Sequence, residues 1–207
     1  MSEKGKWVKM NFYQFGRIVC NICLSAYFKL EVSGLENLPS EGGFVLCCNH
    51  QSYLDPPLMG LKIKERQLTF MAKEALFHKP ILAPIIKKLG AFPVSKNQKD
   101  GRAVKQAIET VKEGKILALF PEGTRSKTGK LLKPKSGVVV IAAQTGAPIV
   151  PTAIKYYGKH PRAKIVVRFG EPILNEQLEL GENPTPKMIK SATQIVWGRL
   201  SEIYEHE

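Results

Sequence analysis

Residues 10–28 carry apolar side chains at Phe12, Phe15, Val19, Ile22 and Ala26. Spacings that alternate between three and four place side chains on one stripe of an α-helix. At about 100° per residue Ile18, Cys23 and Tyr27 join that side. Gln14, Arg17, Asn21 and Ser25 fall opposite, interrupted by Leu24 and Phe28. Two environments suit such a helix. It can pack its stripe on a protein core, or it can lie in a membrane interface, where Lys4, Lys6, Lys9 and Arg17 would meet anionic headgroups.

Beyond residue 30 the pattern changes to short apolar runs separated by helical periods. Phe44–Cys48, Leu68–Ala72, Ala91–Ser95, Ile116–Phe120, Ile149–Ile154 and Ile165–Phe169 read as short, mostly buried strands. Segments 74–89, 101–113, 136–146 and 186–204 read as helices, and 175–186 as the most flexible loop. The alternation predicts an α/β fold: a single domain with a mixed, mostly buried β-sheet flanked by helices. It divides the chain into an N-terminal amphipathic, membrane-associating helical segment over 1–29 and a domain over 30–207. The 207 residues are ample for one core.

The N-terminus does not read as a secretory signal. The longest uncharged stretch near it, Ile18–Phe28, has 11 residues, whereas a spanning helix needs about 20. Cys20 and Cys23 form one CxxC inside an apolar run, with no second ligand pair to complete a zinc site. With Cys47 and Cys48 they read as packed, reduced thiols.

Composition adds one unusual number, a formal net charge of +13 from 31 Lys and Arg against 18 Asp and Glu. Such an excess implies an acidic partner: nucleic acid, an anionic membrane face, or acidic substrates and carriers. No zinc-finger spacing and no basic-aromatic stacking segment points to nucleic acid. The excess is concentrated. From Gly123 to Gly170 there is no Asp or Glu, and ten cations begin with Arg125.

Three segments carry candidate chemistry. Asn49-His50-Gln51-Ser52-Tyr53-Leu54-Asp55 follows an apolar strand, and strand exits are where α/β proteins place reactive groups. His50 can serve as a base near neutral pH. Asp55 can fold back to fix its tautomer, leaving the other ring nitrogen for a proton. The second segment is Phe120-Pro121-Glu122-Gly123-Thr124-Arg125-Ser126. Its Pro-Glu-Gly forces a tight turn, Arg125 offers a planar fork for phosphate, and Glu122 is placed to orient Arg125 or hold a hydroxyl. The stretch Gly123–Leu131 imitates a P-loop, but five residues separate the two glycines and Leu131 replaces the Ser/Thr that would meet Mg²⁺. The third segment, Gly90–Lys96, delivers Lys96 at another strand end, with Arg102 soon after.

Together these segments resemble the glycerolipid acyltransferase family, in particular its 1-acyl-sn-glycerol-3-phosphate acyltransferase branch. The family's NHxSxxD block resembles Asn49–Asp55, its G-A-F-x-V-x-R block Gly90–Lys96, its FPEGTRS block is Phe120–Ser126 unchanged, and its V-P-V-A-I strand resembles Val150–Ile154. Lys96 stands where the family usually has Arg. The resemblance implies acyl transfer from an acyl thioester, acyl-CoA or acyl carrier protein, to lysophosphatidic acid at an anionic membrane surface. It implies His50 and Asp55 as the catalytic pair, with Arg125, Glu122, Gly123, Thr124, Lys96 and Arg102 on the acceptor. Lys135 and Gly137 are weaker candidates. Neither a metal nor a cofactor is expected, nor a nucleic-acid partner, and the expected location is peripheral or monotopic on the cytoplasmic face of the cell membrane. Acylation of another lysophospholipid or of glycerol 3-phosphate is the alternative.

Overall fold

The computed structural model describes residues 11–64, 66–94, 101–158, 160–181 and 183–206. In chain order the elements are α1 (Phe12–Tyr27), β1 (Lys29–Ser33), β2 (Phe44–Cys48), α2 (Asp55–Gly60), β3 (Leu68–Lys73), α3 (Leu82–Lys88) and β4 (Ala91–Val94). They continue with α4 (Arg102–Lys112), β5 (Ile116–Leu119), α5 (Gly137–Thr145), β6 (Ile149–Tyr156), β7 (Lys164–Phe169) and α6 (Pro186–Glu205). The strands form one sheet in the order β1-β7-β6-β2-β5-β3-β4. All neighbours are parallel except β6 and β7. This is the expected α/β domain with a mixed sheet.

The strand order dictates the layers. From β2 the chain steps outward to β3 and β4, then back to β5 and β6. Right-handed crossovers must therefore change face when the direction reverses. Val45, Cys47, Leu117 and Leu119 pack against Ala107 and Val111 of α4, Val138 and Ala142 of α5, and Ala192, Val196 and Leu200 of α6. Phe44, Leu46, Cys48, Ile116 and Ala118 face the other way, toward Leu58 and Met59 of α2 and Cys20 and Leu24 of α1. Alternation along fully buried β2 and β5 feeds both cores.

The thinner layer shows which way α1 faces. Its N-cap Asn11 and Gln14 form a reciprocal capping box. The side turned to the domain carries Tyr13, Arg17, Cys20 and Leu24. Leu68 N–H donates to the Tyr13 hydroxyl at 3.2 Å, and Arg17 donates to the Leu61 carbonyl at 3.2 Å. The apolar stripe, Phe12, Phe15, Ile18, Val19 and Ile22, faces outward, with Ile22 63% exposed. The helix therefore packs its more polar side inward and leaves its apolar side uncovered by the domain.

Several expectations need correction. The helix expected over 74–89 is a 3-10 turn at Glu74–Leu76 followed by α3, because Pro80 interrupts the pattern. Pro84 is tolerated in the first turn of α3, where N–H groups have no intrahelical partner. The loop expected over 175–186 begins with a 3-10 turn and buries Leu178 and Leu180. Strand β1 and helix α2 have no counterpart in the sequence reading. Of the thiols, Cys47 and Cys48 are buried as expected, whereas Cys23 is exposed on α1.

Candidate active site

Adjacent parallel strands bring the first two motifs together. Cys47 of β2 is in register with Leu119 of β5, so the loops that follow leave the same end of the sheet side by side. Asn49 locks the first exit. Its side-chain amide donates to the Ile154 carbonyl at 2.9 Å and its oxygen accepts from Ile154 N–H at 2.8 Å. The buried side chain thus continues the β2–β6 ladder one step past the end of β2.

Both main-chain polar groups of His50 are held by the second motif. Its N–H donates to Glu122 Oε1 at 2.8 Å, and its carbonyl accepts from Ser126 N–H at 2.7 Å. The imidazole stacks on Phe120, with centroids 4.1 Å apart and planes at 21°. His50 Nδ1 lies 2.7 Å from Asp55 Oδ2. An ionised carboxylate only accepts, so Nδ1 carries a proton, and in the neutral imidazole Nε2 then keeps the lone pair. The side chain of His50 retains 19% exposure while that of Asp55 has none.

A charge with no exposure must be satisfied by hydrogen bonds. Asp55 Oδ2 also accepts from the N–H groups of Gln51 and Ser52, at 2.7 and 2.8 Å, and Oδ1 accepts from the Tyr156 hydroxyl at 2.5 Å. Burial, followed by the neighbouring Asp55 charge, pushes the Tyr156 phenol well above its ordinary range, so the phenol stays a donor.

The second motif splits into a buried and an exposed part. Glu122 is buried, and its Oε2 accepts from Leu132 N–H at 3.1 Å. Burial pushes its carboxyl above the usual range against the pull of these two N–H groups. Gly123 adopts φ +66°, and a Cβ there would stand 2.9 Å from Lys135 Nζ. The left-handed turn is what calls for glycine, since the ammonium, at the end of a flexible side chain, can move aside. Thr124 is exposed, and the Arg125 guanidinium sits 3.6 Å over the ring of Tyr53, which is 72% exposed. Among the described residues no three His, Cys, Asp or Glu side chains converge into a metal-ligand set.

Comparison with known proteins is consistent with this geometry. A family model described as Acyltransferase matches residues 29–155. The chain belongs to the acyltransferase family. It is 32% identical to the 1-acyl-sn-glycerol-3-phosphate acyltransferase of Bacillus subtilis (strain 168), covering 92% of this chain and 96% of that one. It is 34% identical to the chloroplastic 1-acyl-sn-glycerol-3-phosphate acyltransferase BAT2 of Brassica napus, over 73% of this chain and 44% of that longer protein. The crystal structure of the 1-acyl-sn-glycerophosphate (LPA) acyltransferase PlsC from Thermotoga maritima superposes with a TM-score of 0.70 at 27% identity, covering 94% of this chain and 79% of that one.

The expected acyltransferase residues therefore fall into three groups. His50, Glu122, Gly123, Thr124 and Arg125 lie on the two loops that leave the adjoining ends of β2 and β5, and Asp55 opens α2 where the first of those loops ends. Glu122 does not reach out to a ligand, since both carboxylate oxygens are taken by main-chain N–H groups. Lys135 is drawn in beside Gly123, and its N–H donates to the Pro121 carbonyl at 2.9 Å. Gly137 opens α5 and Arg102 is the exposed first residue of α4. Lys96 lies outside the described residues. Sequence reasoning missed Tyr156, Phe120 as a stacking partner, and the amide clamp of Asn49. Asn49 and Phe120 each open one of the motifs, whereas Tyr156 lay outside all of them.

Proposed function

We propose that this enzyme transfers a fatty acyl group from an acyl thioester to the 2-hydroxyl of 1-acyl-sn-glycerol 3-phosphate, giving phosphatidic acid. The observation that carries the reading is the His50–Asp55 pair at 2.7 Å, held on the loop beside Arg125. The names of the relatives support the acceptor.

In this mechanism His50 Nε2 removes the hydroxyl proton as the oxygen attacks the thioester carbonyl. Asp55 holds the tautomer and stabilises the imidazolium that forms. Collapse of the tetrahedral intermediate breaks the carbon–sulfur bond, and the departing thiolate takes the proton from His50. No acyl-enzyme is formed, and the reaction calls for neither a metal nor an organic cofactor. Arg125 binds the acceptor phosphate, with Gly123 and Thr124 shaping that pocket and Glu122 fixing the loop. Lys96 and Arg102 add positive charge for the same anion.

The apolar outer stripe of α1 supports peripheral attachment of segment 1–29 to a membrane, which we assign to the anionic cytoplasmic face, with the domain over 30–207 carrying the chemistry. No helix among the described residues is long and apolar enough to cross a membrane. The donor is acyl-CoA or acyl carrier protein, both acidic enough to be drawn to a chain of net charge +13. An assay of the purified protein with lysophosphatidic acid and both donors, run beside glycerol 3-phosphate and other lysophospholipids, tests the reading. Phosphatidic acid is the expected product, and turnover of only the other acceptors would overturn it.

A further inference from the structure

The Asp55 carboxylate is gripped from two directions. Oδ2 takes three donors from its own loop, His50 Nδ1 and the N–H groups of Gln51 and Ser52. Oδ1 takes the Tyr156 hydroxyl, which arrives from the last residue of β6, 101 positions along the chain. The Asn49 clamp on Ile154 explains why that hydroxyl arrives where it does. Residues two apart on a strand share a face, so fixing Ile154 against the end of β2 also aims Tyr156 at the loop.

We infer that Tyr156 is a positioning residue for the acyl-transfer reaction, fixing the rotation of the Asp55 carboxylate so that Oδ2 faces His50, and withdrawing part of its charge onto Oδ1. The inference rests on the general-base reading proposed above. Two physical effects follow from removing the phenol. With Oδ1 unpaired the buried carboxylate is anchored only through Oδ2, so its plane can turn about that oxygen and loosen the contact with Nδ1. Its charge is also less well spread, which favours a protonated imidazole or a protonated carboxyl. The titratable groups facing Asp55 are His50 on its own loop, Tyr156 on β6, Cys48 at the end of β2 and Glu122 after β5. None of the other three replaces the hydroxyl as a donor to Oδ1: His50 is committed to Oδ2, Glu122 accepts main-chain N–H groups, and the Cys48 thiol directs its weak donor to Asn49 Oδ1 at 3.9 Å.

The test is Tyr156→Phe, which keeps the ring and deletes the hydroxyl, with Tyr157→Phe as control because Tyr157 faces Lys155 and Lys164 rather than the site. The expected result is a folded Tyr156→Phe enzyme with kcat about 10-fold lower or more, KM for both substrates within about threefold, and an acid limb of kcat/KM moved to higher pH. Combined with Asp55→Asn, Tyr156→Phe should add little further loss, since both act through one carboxylate. Normal kcat in Tyr156→Phe, an unmoved acid limb, or losses that multiply in the double variant would each overturn the inference. High activity in His50→Ala would instead overturn the general-base reading beneath it.

Discussion

On one side of the site the Asp55 carboxylate is fully buried and accepts four hydrogen bonds, and His50 is fixed through its main chain, its ring face and Nδ1. On the other side Arg125 rests over the face of an exposed tyrosine, Thr124 is exposed, and the ammonium of Lys135 stands beside the bare Cα of Gly123. The buried side is set before any ligand arrives. The exposed side presents cations whose N–H donors are available to an anion. Groups that must act on a reacting proton gain from preorganisation, whereas groups that capture a soluble or lipid-borne phosphate must be reachable. On the mechanism proposed above, turnover belongs to the buried side and acceptor affinity to the exposed side.

The most damaging way to probe this division is to break the buried side. Asp55→Ala is expected to lower kcat by about 10²–10⁴-fold, the range of a misplaced general base, with acceptor KM within about threefold in steady-state kinetics. A large rise in KM at constant kcat would reverse the assignment. Arg125→Ala probes the other side and is expected to raise acceptor KM about 10–100-fold, the loss of a charge-assisted contact, with kcat nearly unchanged. Arg125→Lys should fall between, because an ammonium neutralises phosphate without clamping it.

How much of this was legible in the sequence follows the same line. His50, Asp55 and Arg125 were readable because each sits in a contiguous run of polar residues at a strand exit, where local chemistry and local geometry coincide. Tyr156 was not, since it lies two residues past the expected strand Ile149–Ile154 and its partner is 101 residues away. Glu122 was legible as important, but its partners, the N–H groups of His50 and Leu132, become visible only when the loops meet. Strand β1 escaped notice because an edge strand reading Lys-Leu-Glu-Val-Ser buries no side chain fully. The periodicity of α1 revealed an amphipathic helix but not which medium lies on its apolar side. Tyr13 and Arg17, bonded to the Leu68 N–H and the Leu61 carbonyl, decide that the polar side faces the domain.

That orientation gives the next test. Ile22→Glu on α1 should weaken binding to anionic vesicles about 10-fold or more, the transfer free energy of one large aliphatic side chain. The melting temperature and the turnover of a water-soluble short-chain acceptor should stay near the parent values. Unchanged vesicle binding, followed by sedimentation, would remove α1 from the membrane contact. The smallest effect is expected at Tyr53, where an exposed cation–π contact is worth about 0.5–1 kcal/mol. Tyr53→Leu should raise acceptor KM only about two- to fivefold, and Tyr53→Phe should leave it near normal.

The central claim, that His50 removes the acceptor's hydroxyl proton, is tested most directly by the single-turnover rate of His50→Ala with lysophosphatidic acid and a saturating acyl thioester. A folded variant whose rate has fallen by about 10²–10⁴-fold is the predicted result. A folded variant that transfers the acyl group at a rate near that of the parent would contradict it.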